Sequence, residues 1–182
     1  MFMECNICPS KHVSLIRELY INLRSIDALE VKYINRKNSN YNENDFVNDI
    51  LGEDFSLRQD PRVIVMEREN FRYAQPDQFQ EGQPSVASID VSFISLRLIL
   101  PPLVPILAPG GTVLMLIKPQ FEAGKERVGK KGIVKDPAVH LDVLKEILSY
   151  ACGLGYRVRD LTFSPITGGE GNIEFLAYLT ND

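Results

Sequence analysis

The chain has no tryptophan, only two histidines and three cysteines, and almost no glycine in its first third. Three cysteines, Cys5, Cys8 and Cys152, are an odd number at no repeating spacing. They exclude a disulfide framework and point to a reducing, cytoplasmic setting. Cys5 and Cys8 form one C-x-x-C with His12 nearby, but a structural zinc site needs a second pair of ligands, so incidental thiols and no metal are the expectation. Of 12 glycines only Gly52 precedes Ser56, which excludes a G-x-G-type cofactor turn from the N-terminal third. Long apolar runs are missing too. Leu98 to Ala108 is broken by prolines, and Val113 to Ile117 is too short for a bilayer. The opening residues MFMECNICPSKHV show no apolar stretch or cleavage site of the secretory kind. Positive charge is also scarce: 20 basic against 24 acidic residues leave a formal net charge of -4. Any RNA site must therefore come from a local cluster of lysine and arginine.

What is present is ordinary for a globular α/β protein. The 182 residues are 45% hydrophobic and 24% charged, enough for one domain with a real core. Composition shifts near residue 55. Val13 to Leu29 has apolar residues at helical spacing, and Ile34 to Asp45 is an asparagine-rich polar stretch that reads as loop. From Pro61 on, strands and helices alternate. Val63 to Met66 and Val86 to Phe93 read as strands, and the leucine-rich segment after Phe93 as a helix that Pro101, Pro102 and Pro105 kink or restart. Gly110-Gly111 introduces a third strand ending near Lys118. A helix follows, with Asp136 at its N-cap, Pro137 in its first turn and Gly153 to Gly155 closing it. Its core face is Val139, Val143, Leu144, Ile147, Leu148 and Ala151. The last two strands flank TGGEG with no helix between them, so they pair as an antiparallel hairpin. The expected fold class is α/β, a doubly wound, mostly parallel sheet closed by that hairpin.

Four segments together resemble one family. They are LRQDPRVIVMERENFR (57–72), DVSFISLRLILP (90–101), IKPQFEAGKERVGKKGIVKDPAVH (117–140) and SPITGGEGNIEFL (164–176). In order and spacing they are similar to the C-terminal two thirds of the TlyA (hemolysin-A) branch of the FtsJ-like RNA 2′-O-methyltransferases. The resemblance implies a Rossmann-like sheet, S-adenosyl-L-methionine as methyl donor, ribosomal RNA as substrate, and a methyltransferase domain over residues 56–182. A membrane-pore reading of the hemolysin name finds no support in the sequence.

The resemblance also implies site residues. The family's catalytic set is Lys-Asp-Lys-Glu, and its last three members map onto Asp90, Lys118 and Glu174. A ribose 2′-hydroxyl is a poor nucleophile until its proton is removed or shared. A lysine in a partly dry site can orient or take that proton while carboxylates balance its charge. Each residue has a plainer reading: Asp90 as a helix cap, Lys118 as a solvated head on a buried stem, and Glu174 as a solvent-facing strand position. Glu67, Asn70 and Asp90 would line the donor pocket, although turn chemistry also suits the first two. The glycine-spaced loop from Pro119 to Lys135 carries Lys125, Arg127, Lys130 and Lys131, candidates for gripping RNA phosphates from a mobile flap. His140 is expected to be structural.

The sequence departs from the family in its N-terminal third. Lys11, Lys32 and Lys37 stand in contexts unlike the first catalytic lysine, and residues 1–55 are expected to be truncated, replaced or mis-assigned relative to the family. Two functions follow as expectations: an active methyltransferase, or an RNA-binding or partner-binding remnant that no longer binds its donor.

Overall fold

The computed structural model describes residues 32–33, 65–66, 69–79 and 82–182. The helix expected over Val13 to Leu29 and the polar loop after it lie outside the described residues, as do Cys5, Cys8, His12 and Glu67. The described strands form two sheets. β1 (Lys32–Tyr33) and β2 (Val65–Met66) make a short parallel pair. β3 (Val86–Ile89), β4 (Thr112–Ile117), β5 (Arg157–Phe163) and β6 (Phe175–Thr180) make the main sheet, in the order β3-β4-β6-β5.

Two parallel strands cannot be joined by a tight turn, and helices make the crossovers. β3 leads through α1 (Leu100–Ile106) into parallel β4, and β4 leads through α2 (Pro119–Glu122) and α3 (Pro137–Gly153) into β5. β6 then enters between β4 and β5, antiparallel to both. This is the expected closing hairpin, and its register fixes the site. Ile89 pairs with Met115, and Ile117 with Phe175. Asp90, Lys118 and Glu174 each sit one residue past a ladder end, on the same rim. This rim is where open α/β sheets place their chemistry.

The expected strand over Val86 to Phe93 is too long. β3 stops at Ile89 because the chain turns away over residues 92–94, and Phe93 adopts φ 61, which no strand accommodates. The leucine-rich helix restarts as foreseen. Ser95 caps a single turn at Leu96–Leu98, and α1 begins afresh with Pro101 and Pro102 in its first turn, where a missing N–H is harmless. Pro105 lies inside α1, one residue before it ends.

β4 alternates in burial, with Val113, Met115 and Ile117 fully enclosed. They meet Leu96, Leu100, Leu103, Ile106 and Leu107 from the β3–α1 region and Val143, Ile147 and Ala151 from α3. Val139, Leu144 and Leu148 pack partly buried at the margin of the same face. Asp136 caps α3 by accepting a 2.8 Å hydrogen bond from the Ala138 N–H. Replacing Asp136 with alanine removes that cap, and thermal or urea unfolding should show a loss of about 1 kcal/mol. His140 is buried; its Nε2 lies 3.0 Å from the Val134 carbonyl oxygen and its ring is edge-on to Phe175. It anchors the end of the preceding loop against the sheet.

Candidate active site

α2 follows Lys118 without a break, and Pro119 at its first position is buried. From this single turn and the lysine that heads it, four side chains reach two other segments, residues 90–96 and Glu174. Lys118 Nζ lies 2.6 Å from Asp90 Oδ1 and donates to Ser92 Oγ at 3.2 Å. Gln120 Nε2 donates to Glu174 Oε1 at 2.9 Å. The Phe121 ring stands 4.8 Å from that of Phe93. Glu122 accepts the Ser95 hydroxyl at 2.6 Å and the Leu96 N–H at 2.8 Å.

The Lys118–Asp90 pair is lopsided. The lysine side chain is 13% exposed and the aspartate side chain 67%. The ammonium is held in a wall while its counter-charge stands at the mouth. Glu174 is buried, and among the described residues its carboxylate bonds Gln120 rather than Lys118. Continuing the β4–β6 ladder by one step still sets Lys118 and Glu174 opposite each other, and on the other side of β6 the Ser164 N–H donates to the Glu174 carbonyl oxygen, extending the β5–β6 ladder by the same step. The Gln120 Oε1 is buried with no hydrogen-bond partner among the described residues. Gly168 lies against Glu174 so closely that a Cβ there would come within 2.0 Å of Oε1.

Phe93 completes the mouth. The residue is 69% exposed, and its left-handed backbone is uncommon for a bulky residue. An exposed aromatic face beside a held ammonium can stack a base while the amine meets the sugar.

Glu122 is half-buried, and its carboxyl pKa is raised above the ordinary 4.5 by burial. The bonds from Ser95 and Leu96 and the charge of Arg97 pull the other way, and the carboxylate of Glu146 adds to the rise. An acid with a raised folded pKa binds its proton more tightly folded than unfolded. Its contribution favours the fold below the unfolded pKa and turns against it as pH rises through the folded value. Measured against Glu122→Gln, the wild type should therefore gain stability on acidification from neutral pH towards about 4.5. Denaturant titrations at several pH values give the slope, and the opposite sign would mean that the hydrogen bonds outweigh burial.

The basic loop is ordered by its neighbours. Asn172, buried just before Glu174, accepts the Val134 N–H at 3.1 Å and donates to the Gly132 and Gly169 carbonyl oxygens, each at 3.0 Å. This stitches the loop to the β5–β6 turn, where the sequence suggested a free flap. Arg127 points inward, with Nε donating to the Ala123 carbonyl at 2.6 Å and the guanidinium 3.5 Å from Asp142 and 3.8 Å from Glu146. Lys125, Lys130 and Lys131 are exposed and have no ion-pair partner among the described residues. Asn70 caps a short turn, its Oδ1 accepting from the Arg72 N–H at 3.3 Å and Nε at 3.1 Å.

Residues 47–181 match the model of a family described as FtsJ-like methyltransferase. The chain belongs to that family. Its relatives narrow the branch. YqxC of Bacillus subtilis, named as an rRNA methyltransferase, is 63% identical over 125 residues, covering 69% of this chain and 44% of that relative. TlyA of Mycobacterium tuberculosis, named as a 16S/23S rRNA (cytidine-2′-O)-methyltransferase, is 38% identical over 125 residues, covering 69% of this chain and 46% of TlyA. A crystal structure of a protein named as a hemolysin from Lactococcus lactis superposes with a TM-score of 0.68 at 56% identity, covering 70% of this chain and 61% of that one. The chain spans about half the length of the curated relatives it matches. The α/β methyltransferase fold and the TlyA resemblance thus stand. Despite the hemolysin name, no helix among the described residues is long and apolar enough to cross a membrane.

Sequence reasoning missed Ser92, Phe93, Gln120, Glu122, Gly168 and Asn172. The signal for two of them, Gln120 and Glu122, was in plain sight: a proline-headed turn directly after the strand-end lysine, reading amide, aromatic, acid.

Proposed function

We propose that residues 56–182 carry the RNA-acceptor side of an S-adenosyl-L-methionine-dependent methyltransferase acting on a ribose 2′-hydroxyl of ribosomal RNA in the cytoplasm. The observation that supports this reading best is the Lys118 side chain, largely buried, with its ammonium 2.6 Å from a rim carboxylate and an exposed aromatic ring in the same turn as that carboxylate. Lys118 orients the 2′-hydroxyl and takes or shares its proton, which is what makes the sugar oxygen nucleophilic. Asp90 and Ser92 hold Nζ in place. Glu174, fixed by Gln120, supplies negative charge on the far side of the same rim. Lys125, Lys130 and Lys131 meet backbone phosphates, and Arg127 chiefly braces the loop that presents them.

S-adenosyl-L-methionine when bound would supply a methyl group on a cationic sulfonium. The exposed Asp90 carboxylate is of the right sign to face such a donor, and Asn70 and Glu67 are the further donor-side candidates. What remains is in-line positioning.

A second reading is favoured by one sequence fact: with Gly52 alone before Ser56, a glycine-rich donor cradle is not encoded in the N-terminal third. The chain would then be an RNA-binding or partner-binding remnant. Incubating it with ribosomal RNA and methyl-labelled S-adenosyl-L-methionine, then reading alkali-resistant dinucleotides, separates the two. Label at 2′-O supports the enzyme. Retention of RNA without label or calorimetric donor binding supports the remnant.

A further inference from the structure

Between β3 and the turn at Leu96, the chain makes no ladder contact, yet it delivers two of the groups at the rim. Ser92 reaches Lys118 Nζ, and Phe93 stands over Phe121 with a left-handed backbone. Such a conformation at a bulky residue persists only where the surroundings over-determine it. The N-terminal side of this turn is held by the β3–β4 ladder, with Ile89 paired to Met115. On the C-terminal side Leu96 is buried in the core, Arg97 bonds Glu146 and Tyr150, and the polar hold on the turn itself is one carboxylate. Glu122 takes the Ser95 hydroxyl on Oε2 and the Leu96 N–H on Oε1. With its proton committed to Glu122, the Ser95 oxygen is free to accept the Arg97 N–H at 3.2 Å and cap the turn that leads into α1.

We propose that Glu122 is a positioning residue for the Lys118 site: its carboxylate clasps the 90–96 turn onto α2, and so keeps Asp90 and Ser92 on the lysine ammonium. Lys118 and Glu122 open and close the same turn of helix, so the clasp and the ammonium share one rigid mount. The function assigned to the site rests on the reading of Lys118 given above, whereas the clasp itself does not.

A plain helix cap would produce the same two hydrogen bonds, so the test must read Lys118 and not stability. Reductive methylation of the folded chain with formaldehyde and cyanoborohydride, followed by peptide mass spectrometry, gives a rate for each lysine. The exposed Lys130 and Lys131 serve as internal references. In Glu122→Ala the Lys118 rate relative to them should rise roughly tenfold, the scale on which losing a charged hydrogen bond shifts a local opening equilibrium. Ser95→Ala, which removes one donor and spares the carboxylate, should move Lys118 the same way by less. It carries the test if Glu122→Ala does not fold. Lys118 labelling that stays at the wild-type ratio in a folded variant overturns the clasp, even if that variant is less stable. No RNA enters this measurement. A wild-type chain that fails to methylate RNA would sink the assigned reaction and leave the clasp standing; an unchanged Lys118 rate would do the reverse.

Discussion

Lys118→Ala is expected to lower methyl transfer to RNA by about 10²- to 10⁴-fold, the usual worth of a positioned acid–base group, while the chain keeps its fold. The second half of that expectation comes from the burial pattern. The aspartate that loses its partner is 67% exposed, so water can take over the vacated charge. An ion pair with one open member is worth only about 0–1 kcal/mol of stability. Rates at saturating donor and a thermal melt on the same preparation check both halves. Lys118→Arg refines the result. Arginine keeps the charge but does not give up its proton at any accessible pH. If the lysine accepts a proton, the arginine variant should be nearly as slow as alanine. If it only orients the sugar oxygen by charge, a good part of the rate should return. A rate equal to wild type in the alanine variant would remove Lys118 from the chemistry.

The second large effect should come from a residue with no functional group. Gly168 has φ -72 and ψ -173, which any residue adopts, so alanine meets no backbone strain there. It meets Glu174 instead. The added Cβ would fall 2.0 Å from Oε1 and 2.5 Å from Cδ. Glu174 is buried and held by Gln120, so its carboxylate must swing away and give up that bond. A displacement of about 1 Å at a reacting centre can lower a rate on the order of 10²-fold. Gly168→Ala should therefore lose activity on that scale with little change in melting temperature, because only a side-chain end has to move. Gly169 is the matched control: a Cβ there meets nothing within 4 Å. If Gly168→Ala and Gly169→Ala turn over RNA equally well, the position of the Glu174 carboxylate does not matter to the reaction.

Legibility from sequence followed the range of the forces involved. The β4 strand, α3 with its Asp136 cap, and the closing hairpin were readable because each is set by local periodicity, a cap or a turn. The rim positions of Asp90, Lys118 and Glu174 were readable from the family resemblance together with strand ends. The premature end of β3 was not, because Ser92 and Phe93 continue an apolar-polar alternation that a strand would also show. Only the tertiary bond from Glu122, 26 residues on from Leu96, reveals that the chain has already turned. Arg127 misled for a similar reason. In sequence it is one cation among five in a glycine-spaced loop, and only α3, folded beneath it, supplies Asp142 and Glu146. The ordering of the loop by Asn172 was likewise invisible, since a buried amide bridging two turns leaves no periodic trace.

The insertion of β6 between β4 and β5 has a consequence for synthesis. Both flanking strands leave the ribosome before the one that belongs between them. Until β6 arrives, β4 and β5 must either stand apart or pair wrongly with each other, and the slot between them is an open invitation to association. Glu174 enters the rim only with that strand. A nascent chain thus displays its lysine and its first acid well before its second, and the rim stays incomplete until the central gap is filled.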